Sequence, residues 1–99
     1  KLDLRVCEIV KAQEIRKSHS CLKLTLNDGS DKPRTIVSSI KSEYTCEQLV
    51  GKKIIVIANL EPARLTGVES QGMLLCACTD DDLCLVTPEK KMPSGATVR

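Results

Sequence analysis

Apolar and polar positions alternate from the start of the chain. Over residues 2–10, Leu2, Leu4 and Val6 interleave with Asp3, Arg5 and Cys7. Period two predicts a half-buried strand with Leu2, Leu4 and Val6 as its apolar set. Gln13–Ser20 is polar and basic, with Arg16 and Lys17, and reads as a loop. Leu22, Leu24 and Leu26 then alternate with Lys23, Thr25 and Asn27 as a second strand. Asn27-Asp28-Gly29-Ser30 is a turn, and residues 33–38, opened by Pro33, form a third strand paired to the second as a hairpin. Tyr44–Val50 reads as a short helix: Thr45 is its N-cap, Gln48 three residues on completes a capping box, and Gly51 is its stop. Lys53–Ala58 is a nearly unbroken apolar run, as in a strand buried on both faces. Residues 59–67 hold a Pro and a Gly and read as mostly loop. Met73–Cys78 is a further apolar run, Asp80–Asp82 a turn, and Leu83–Val86 a final strand that pairs back.

Short strands at this spacing, with one short helix before the fourth, predict an all-β, five-stranded Greek-key barrel, and the OB-fold is the leading member of that class. Its 99 residues make one domain, 1–99, with no repeat, low-complexity stretch or interior linker. Beginning at Lys1 rather than Met, the chain reads as a piece of a longer protein.

Charge and aromatic content then narrow the chemistry. The formal charge is only +2, so a nucleic-acid surface requires the positive groups to be gathered on one face. One Tyr, with no Phe or Trp, leaves almost nothing for base stacking. Any RNA recognition must run through phosphates, riboses and shape. Six cysteines without a C-x-x-C pair, and a sole His19 far from Cys76 and Cys78, favour small apolar residues in a reducing cytosol over a disulfide framework or zinc site. No apolar run approaches the length of a membrane span. No Cys-His or Ser-His-Asp arrangement is visible, which argues against an enzyme.

The stretch NLEPARLTGVESQGMLLCA (59–77) carries Asn59, Leu60, Pro62, Arg64, Gly67, Ser70, Gly72 and Met73 in a distinctive order. It resembles the tRNA-binding domain family: the OB-fold domain of bacterial tRNA-binding proteins, of the C-termini of methionyl- and tyrosyl-tRNA synthetases, and of endothelial monocyte-activating polypeptide II. LDLRVCEIV (2–10), KPRTIVS (32–38), Glu47–Gly51 with Lys52-Lys53, Thr87-Pro88 and Pro93-x-Gly95 extend the likeness over nearly all of the chain. Cys7 and Ser39 stand where the family usually has Gly, and the segment 16–22 departs from its His-Pro-x-Ala-Asp pattern.

The resemblance implies a non-catalytic, cytoplasmic module that binds tRNA with little sequence specificity, needs no cofactor or metal, and serves an aminoacyl-tRNA synthetase in cis or trans. It also implies a homodimer in the intact protein. The implied RNA-binding residues are Lys32, Arg34, Asn59, Arg64, Ser70, Gln71, Gly72 and Met73. Arg64 would take a phosphate in bidentate fashion. Lys32 and Arg34 flank the stiffening Pro33. Ser70 and Gln71 would donate to phosphate, 2′-hydroxyl or base edges, and Gly72 would allow close backbone approach. Bland roles stand beside these: a solvated surface Arg64, a hydrated strand start, Met73 as the first core residue of its strand, and Asn59 closing an Asx-turn on its own backbone. Lys52, Lys53, Lys90 and Lys91 would widen a basic rim or merely solubilise. Two other readings come from relatives of the family: a protein-protein assembly module among synthetases, and a released cytokine-like domain.

Overall fold

The computed structural model describes all residues, Lys1–Arg99. Ten strands and one helical turn follow in order: β1 (Leu4–Glu14), β2 (Leu22–Asn27), β3 (Arg34–Ser38), α1 (Cys46–Leu49), β4 (Lys53–Ile57), β5 (Ala63–Leu65), β6 (Val68–Ser70), β7 (Met73–Leu74), β8 (Cys76–Cys78), β9 (Leu83–Leu85) and β10 (Thr97–Val98). The main sheet runs β3-β2-β1-β4-β7, with β10 added to the start of β1. Every pairing is antiparallel. The sheet curls into a nearly closed barrel of the OB type.

Curling depends on β1, which is long enough to serve two neighbours. Residues Leu4–Glu8 pair with β4, while Glu8–Glu14 pair with β2. The β2 register shifts between Ile9 and Lys11, so Val10 is an extra residue and lies exposed. A bulge of this kind bends a strand and increases its twist. It also reverses which positions point inward: Cys7 and Ile9 are fully buried before it, and Ala12 packs against the core after it. This corrects the alternation expected from the sequence. Leu2 is exposed, and Cys7 belongs to the core with Ile9. Val6 is also buried, on the outer face of the sheet.

β4 is buried on both faces, as its apolar run predicts: Ile54 and Val56 enter the core, while Ile55 and Ile57 are covered on the outside. Leu22, Leu24 and Leu26 line the core from β2 by strict alternation. The helix is shorter than expected but capped as expected. Thr45 accepts from the Gln48 amide at 3.1 Å, and the Gln48 side chain accepts from the Thr45 amide at 2.8 Å. Gly51 follows with φ of 95°, and its amide donates to the Ile9 carbonyl at 2.7 Å, tying the helix exit to the bulge. Tyr44 lies against the core, and its hydroxyl accepts from the Leu85 amide at 3.0 Å.

Three further differences lie in short elements. The region 59–67 contains most of a hairpin, β5–β6. The Met73–Cys78 run is split between β7, which continues the barrel, and β8, which pairs with β9. The terminal β10 pairs with β1 through Leu4 and Arg5.

Candidate nucleic-acid interface

The segment Ser70-Gln71-Gly72 closes the barrel against β3, and side chains do much of the closing. The Gln71 amide donates to the Thr35 carbonyl at 2.7 Å, a normal ladder bond. The return bonds are not normal: the Thr35 amide donates to the Gln71 side-chain oxygen, and the Val37 amide to the Ser70 hydroxyl, each at 2.9 Å. The Ser70 hydroxyl in turn donates to the Gly72 carbonyl at 3.1 Å. Ser70 is only 3% exposed, and its single proton is engaged inside the barrel. A Cβ on Gly72 would stand 2.7 Å from the Ile57 carbonyl oxygen and 3.1 Å from Val56 Cγ1. With φ at 154°, glycine lets the closing segment lie directly on β4.

Arg34 opens β3 and is turned inward. Its Nε donates to Asp28 at 2.9 Å, and its Nη1 donates to the carbonyls of Ala58, at 3.1 Å, and Gln71. One guanidinium thus joins the β2–β3 turn, the end of β4 and the closing segment. Burial by itself would raise the Asp28 carboxyl. Hydrogen bonds from the Ser30 hydroxyl and amide, and then from Arg34, outweigh burial and hold it below the usual carboxylate range. Asn59, expected from the sequence to bind RNA, with an Asx-turn as its bland role, is also structural in its contacts. It accepts from the Asp3 amide at 2.9 Å and donates to the Lys1 carbonyl at 2.6 Å, so it clamps the start of the chain.

Arg64, Met73 and Lys32 face solvent. Arg64 sits on β5 opposite Glu69 and is in no ion pair. Met73 is 57% exposed, while its neighbour Leu74 supplies the core contact from β7. Leu60 and Leu65 are also exposed. The 59–73 region therefore presents one guanidinium and three apolar side chains on a frame fixed by Ser70, Gln71, Gly72 and Arg34. Lys32 is exposed in the β2–β3 loop, and its carbonyl accepts from the Ser30 hydroxyl at 3.1 Å.

Asp28, Arg5, Leu60 and Leu65 are additions to the sequence-predicted set. With Asp3 and Arg34, Asp28 and Arg5 line a polar cavity of about 460 Å³ at the end of the barrel. Each guanidinium there carries its own carboxylate, Arg5 with Asp3 and Arg34 with Asp28, both at 2.9 Å. Asp28 was visible in the sequence as a turn residue, but nothing local paired it with Arg34.

The Thr66–Gly67 turn of the β5–β6 hairpin has positive φ at both residues, 50° and 83°, as a two-residue hairpin turn of the primed type requires. All six cysteines are unpaired. No group of three or more His, Cys, Asp or Glu side chains is placed to hold a metal ion. No helix is long and apolar enough to cross a membrane.

Comparison with known proteins identifies the family and the fold. A family model described as "Putative tRNA binding domain" matches residues 4–97. The methionine–tRNA ligase of Methanocaldococcus jannaschii is 51% identical over 100 residues, which is 100% of this chain and 15% of that protein. The chain thus spans about one-seventh of the length of the curated relatives it matches. Among solved structures, a protein related to methionyl-tRNA synthetase from Pyrococcus horikoshii superposes with a TM-score of 0.91 at 37% identity, covering 99% of this chain and 90% of that one. The chaperone CsaA of Bacillus anthracis superposes with a TM-score of 0.88 at 25% identity, covering 99% and 90%. The chain belongs to this tRNA-binding domain family.

Proposed function

We propose that the domain binds tRNA as a non-catalytic module in the cytoplasm and delivers it to an aminoacyl-tRNA synthetase, in cis or in trans. The observation that carries this reading is the family match across residues 4–97. Arg64, with its free guanidinium, and the exposed Met73, Leu60 and Leu65 of the same 59–73 region supply the contacts; Lys32 adds a cation from the β2–β3 loop. Ser70, Gln71, Gly72, Arg34 and Asn59 hold that surface in place, through the hydrogen bonds described above. Recognition is by backbone and shape. The single aromatic residue, Tyr44, packs against the core with its hydroxyl bonded to Leu85, so no aromatic platform is free to stack a base. Contacts of that kind tolerate many tRNA sequences. Tethering to a synthetase then raises the local tRNA concentration at the catalytic site. The intact protein pairs as a homodimer in the same proposal, and equilibrium sedimentation reads that directly.

The test is an electrophoretic shift with total tRNA at low and moderate salt, comparing wild type with Arg64→Ala/Lys32→Ala. Ser70 is left alone because its hydroxyl is part of the barrel. Salt-sensitive binding that the double variant weakens about tenfold or more is expected, since charge-assisted contacts to phosphate are worth about 1.5–3 kcal/mol each. Binding unchanged in the variant moves the site elsewhere. Absence of binding by folded wild type removes the tRNA reading and leaves assembly with other proteins.

A further inference from the structure

Four of the fifteen lysines and arginines lie together at a place outside the Arg64–Met73 surface. Lys52 and Lys53 stand at the start of β4, and Lys90 and Lys91 follow Pro88 in the segment that leads to β10. Together with Thr87, Pro88 and Glu89, these four lysines line one shallow pocket of about 350 Å³ that is widely open to solvent. Four cations against one carboxylate leave +3 in this pocket, whereas the whole chain carries +2. The rest of the chain, 11 basic against 12 acidic residues, sums to −1.

These lysines have no carboxylate partners. The molecule's ion pairs are Arg5–Asp3, Arg34–Asp28 and Lys41–Glu14, and none involves the pocket. Glu8 faces Lys53 across the β1–β4 ladder without closing an ion pair. The polar cavity at the other end of the barrel differs in this respect, since an anion entering it must compete with Asp3 and Asp28. Lys53 fixes the pocket's shape: its ammonium donates to the Met92 carbonyl, bracing the 87–92 segment against β4. Neighbouring like charges repel one another, and here four lysines are held near one another with Glu89 and Glu8 close by but in no ion pair with them. A bound anion relieves that repulsion.

We propose that the Lys52/Lys53/Lys90/Lys91 pocket is a second phosphate contact for the bound RNA, separate from the Arg64–Met73 surface. This rests on the tRNA-binding reading. Ammonium groups act as point charges with no preferred planar geometry, which suits phosphates met in sequence-independent fashion. β4 rises about 3.3 Å per residue, so Lys53 and the Asn59 end of the same strand lie roughly 15–20 Å apart. The two contacts therefore engage different stretches of one RNA backbone.

The experiment measures tRNA affinity as a function of salt for three forms of the 99-residue chain. They are wild type, Lys52→Gln/Lys90→Gln/Lys91→Gln, and a control with equal charge loss elsewhere, Lys11→Gln/Arg16→Gln/Lys17→Gln. Lys53 is kept because it braces the pocket. Each phosphate contact contributes roughly 0.7–0.9 to the slope of log K against log salt. The pocket variant is expected to lose about two units of slope and the control less than one. Equal slopes in the pocket variant and the control overturn the proposal while leaving tRNA binding intact. A wild type that fails to bind at low salt overturns the tRNA reading and this one with it, and is recognised because no form then binds.

Discussion

Ser70 and Arg64 stand six residues apart in the same stretch and do opposite jobs. Ser70 is nearly fully buried, and its hydroxyl replaces a backbone carbonyl for the Val37 amide while donating to Gly72. Ser70→Ala leaves one buried donor and one carbonyl unsatisfied, which costs about 1–3 kcal/mol. Urea unfolding of that variant should show the loss, while its tRNA affinity below the transition should fall less than that of Arg64→Ala, because the hydroxyl supports the surface without touching RNA. Arg64→Ala should give the reverse profile: an unchanged unfolding midpoint, because an exposed arginine without an ion pair contributes little to stability, and weakened tRNA binding. A Ser70→Ala protein of full stability would show that the Val37 amide finds another acceptor. The sequence could name both residues but not their directions. Ser70, Asn59 and Arg34 are polar and lie in a loop-rich region, which reads as solvent-facing. What turns them inward is a set of partners remote in the chain: Val37 for Ser70, Lys1 and Asp3 for Asn59, Ala58 and Gln71 for Arg34.

At the scale of elements, regular burial made some pieces legible and irregular burial hid others. β2 alternates strictly and β4 is apolar throughout, so each declares its burial in its own residues. The capping box around Thr45 and Gln48 is likewise a local signature. The β5–β6 hairpin has no such signal. Its first strand is exposed at all three positions, and Pro62 precedes it, so neither alternation nor an apolar run marks it. Its turn is legible only in part. Gly67 suits positive φ, but Thr66, a β-branched residue, adopts φ of 50° as well. That conformation costs an L-residue about 1–2 kcal/mol, and glycine's greater freedom in the unfolded chain returns about 0.5–1 kcal/mol of the difference. Thr66→Gly should therefore stabilise the protein by roughly 0.5–1 kcal/mol. A raised urea midpoint with unchanged slope is the expected reading, and a lowered midpoint would mean that the Thr66 side chain holds the turn through more than its local hydrogen bond to the Leu65 carbonyl.

At the scale of the whole molecule, the barrel is closed by an exchange of roles between its two ends. One end is tied by polar groups: Arg34 and Asn59 gather the chain start, the β2–β3 turn and the closing segment. The other end is sealed by apolar ones, with Ile40, Leu49 and Tyr44 lying over the core. Between them, the regular β1–β4 register, ahead of the bulge, places Cys7 opposite Ile54 at the centre, fully buried, where the apolar set Leu2, Leu4 and Val6 would have turned it outward. Burial pushes the Cys7 thiol up to about 11. It is thus neither ionised nor reachable in the folded state, and only the thiolate reacts with alkylating reagents. Exposed Cys78 and Cys84, on the β8–β9 hairpin, have no such shield. Iodoacetamide at pH 8 should modify Cys78 and Cys84 in the native protein at rates that urea changes little. Cys7 should remain unmodified until the barrel opens, and its labelling should rise in step with the global unfolding transition. Because Cys7 contacts the barrel centre and not one end, its labelling distinguishes two kinds of opening. If Cys7 labels well before the transition, the β1–β4 pairing opens on its own, and the barrel is two loosely joined halves. If it labels only with the transition, the polar end and the apolar end unfold as one cooperative unit.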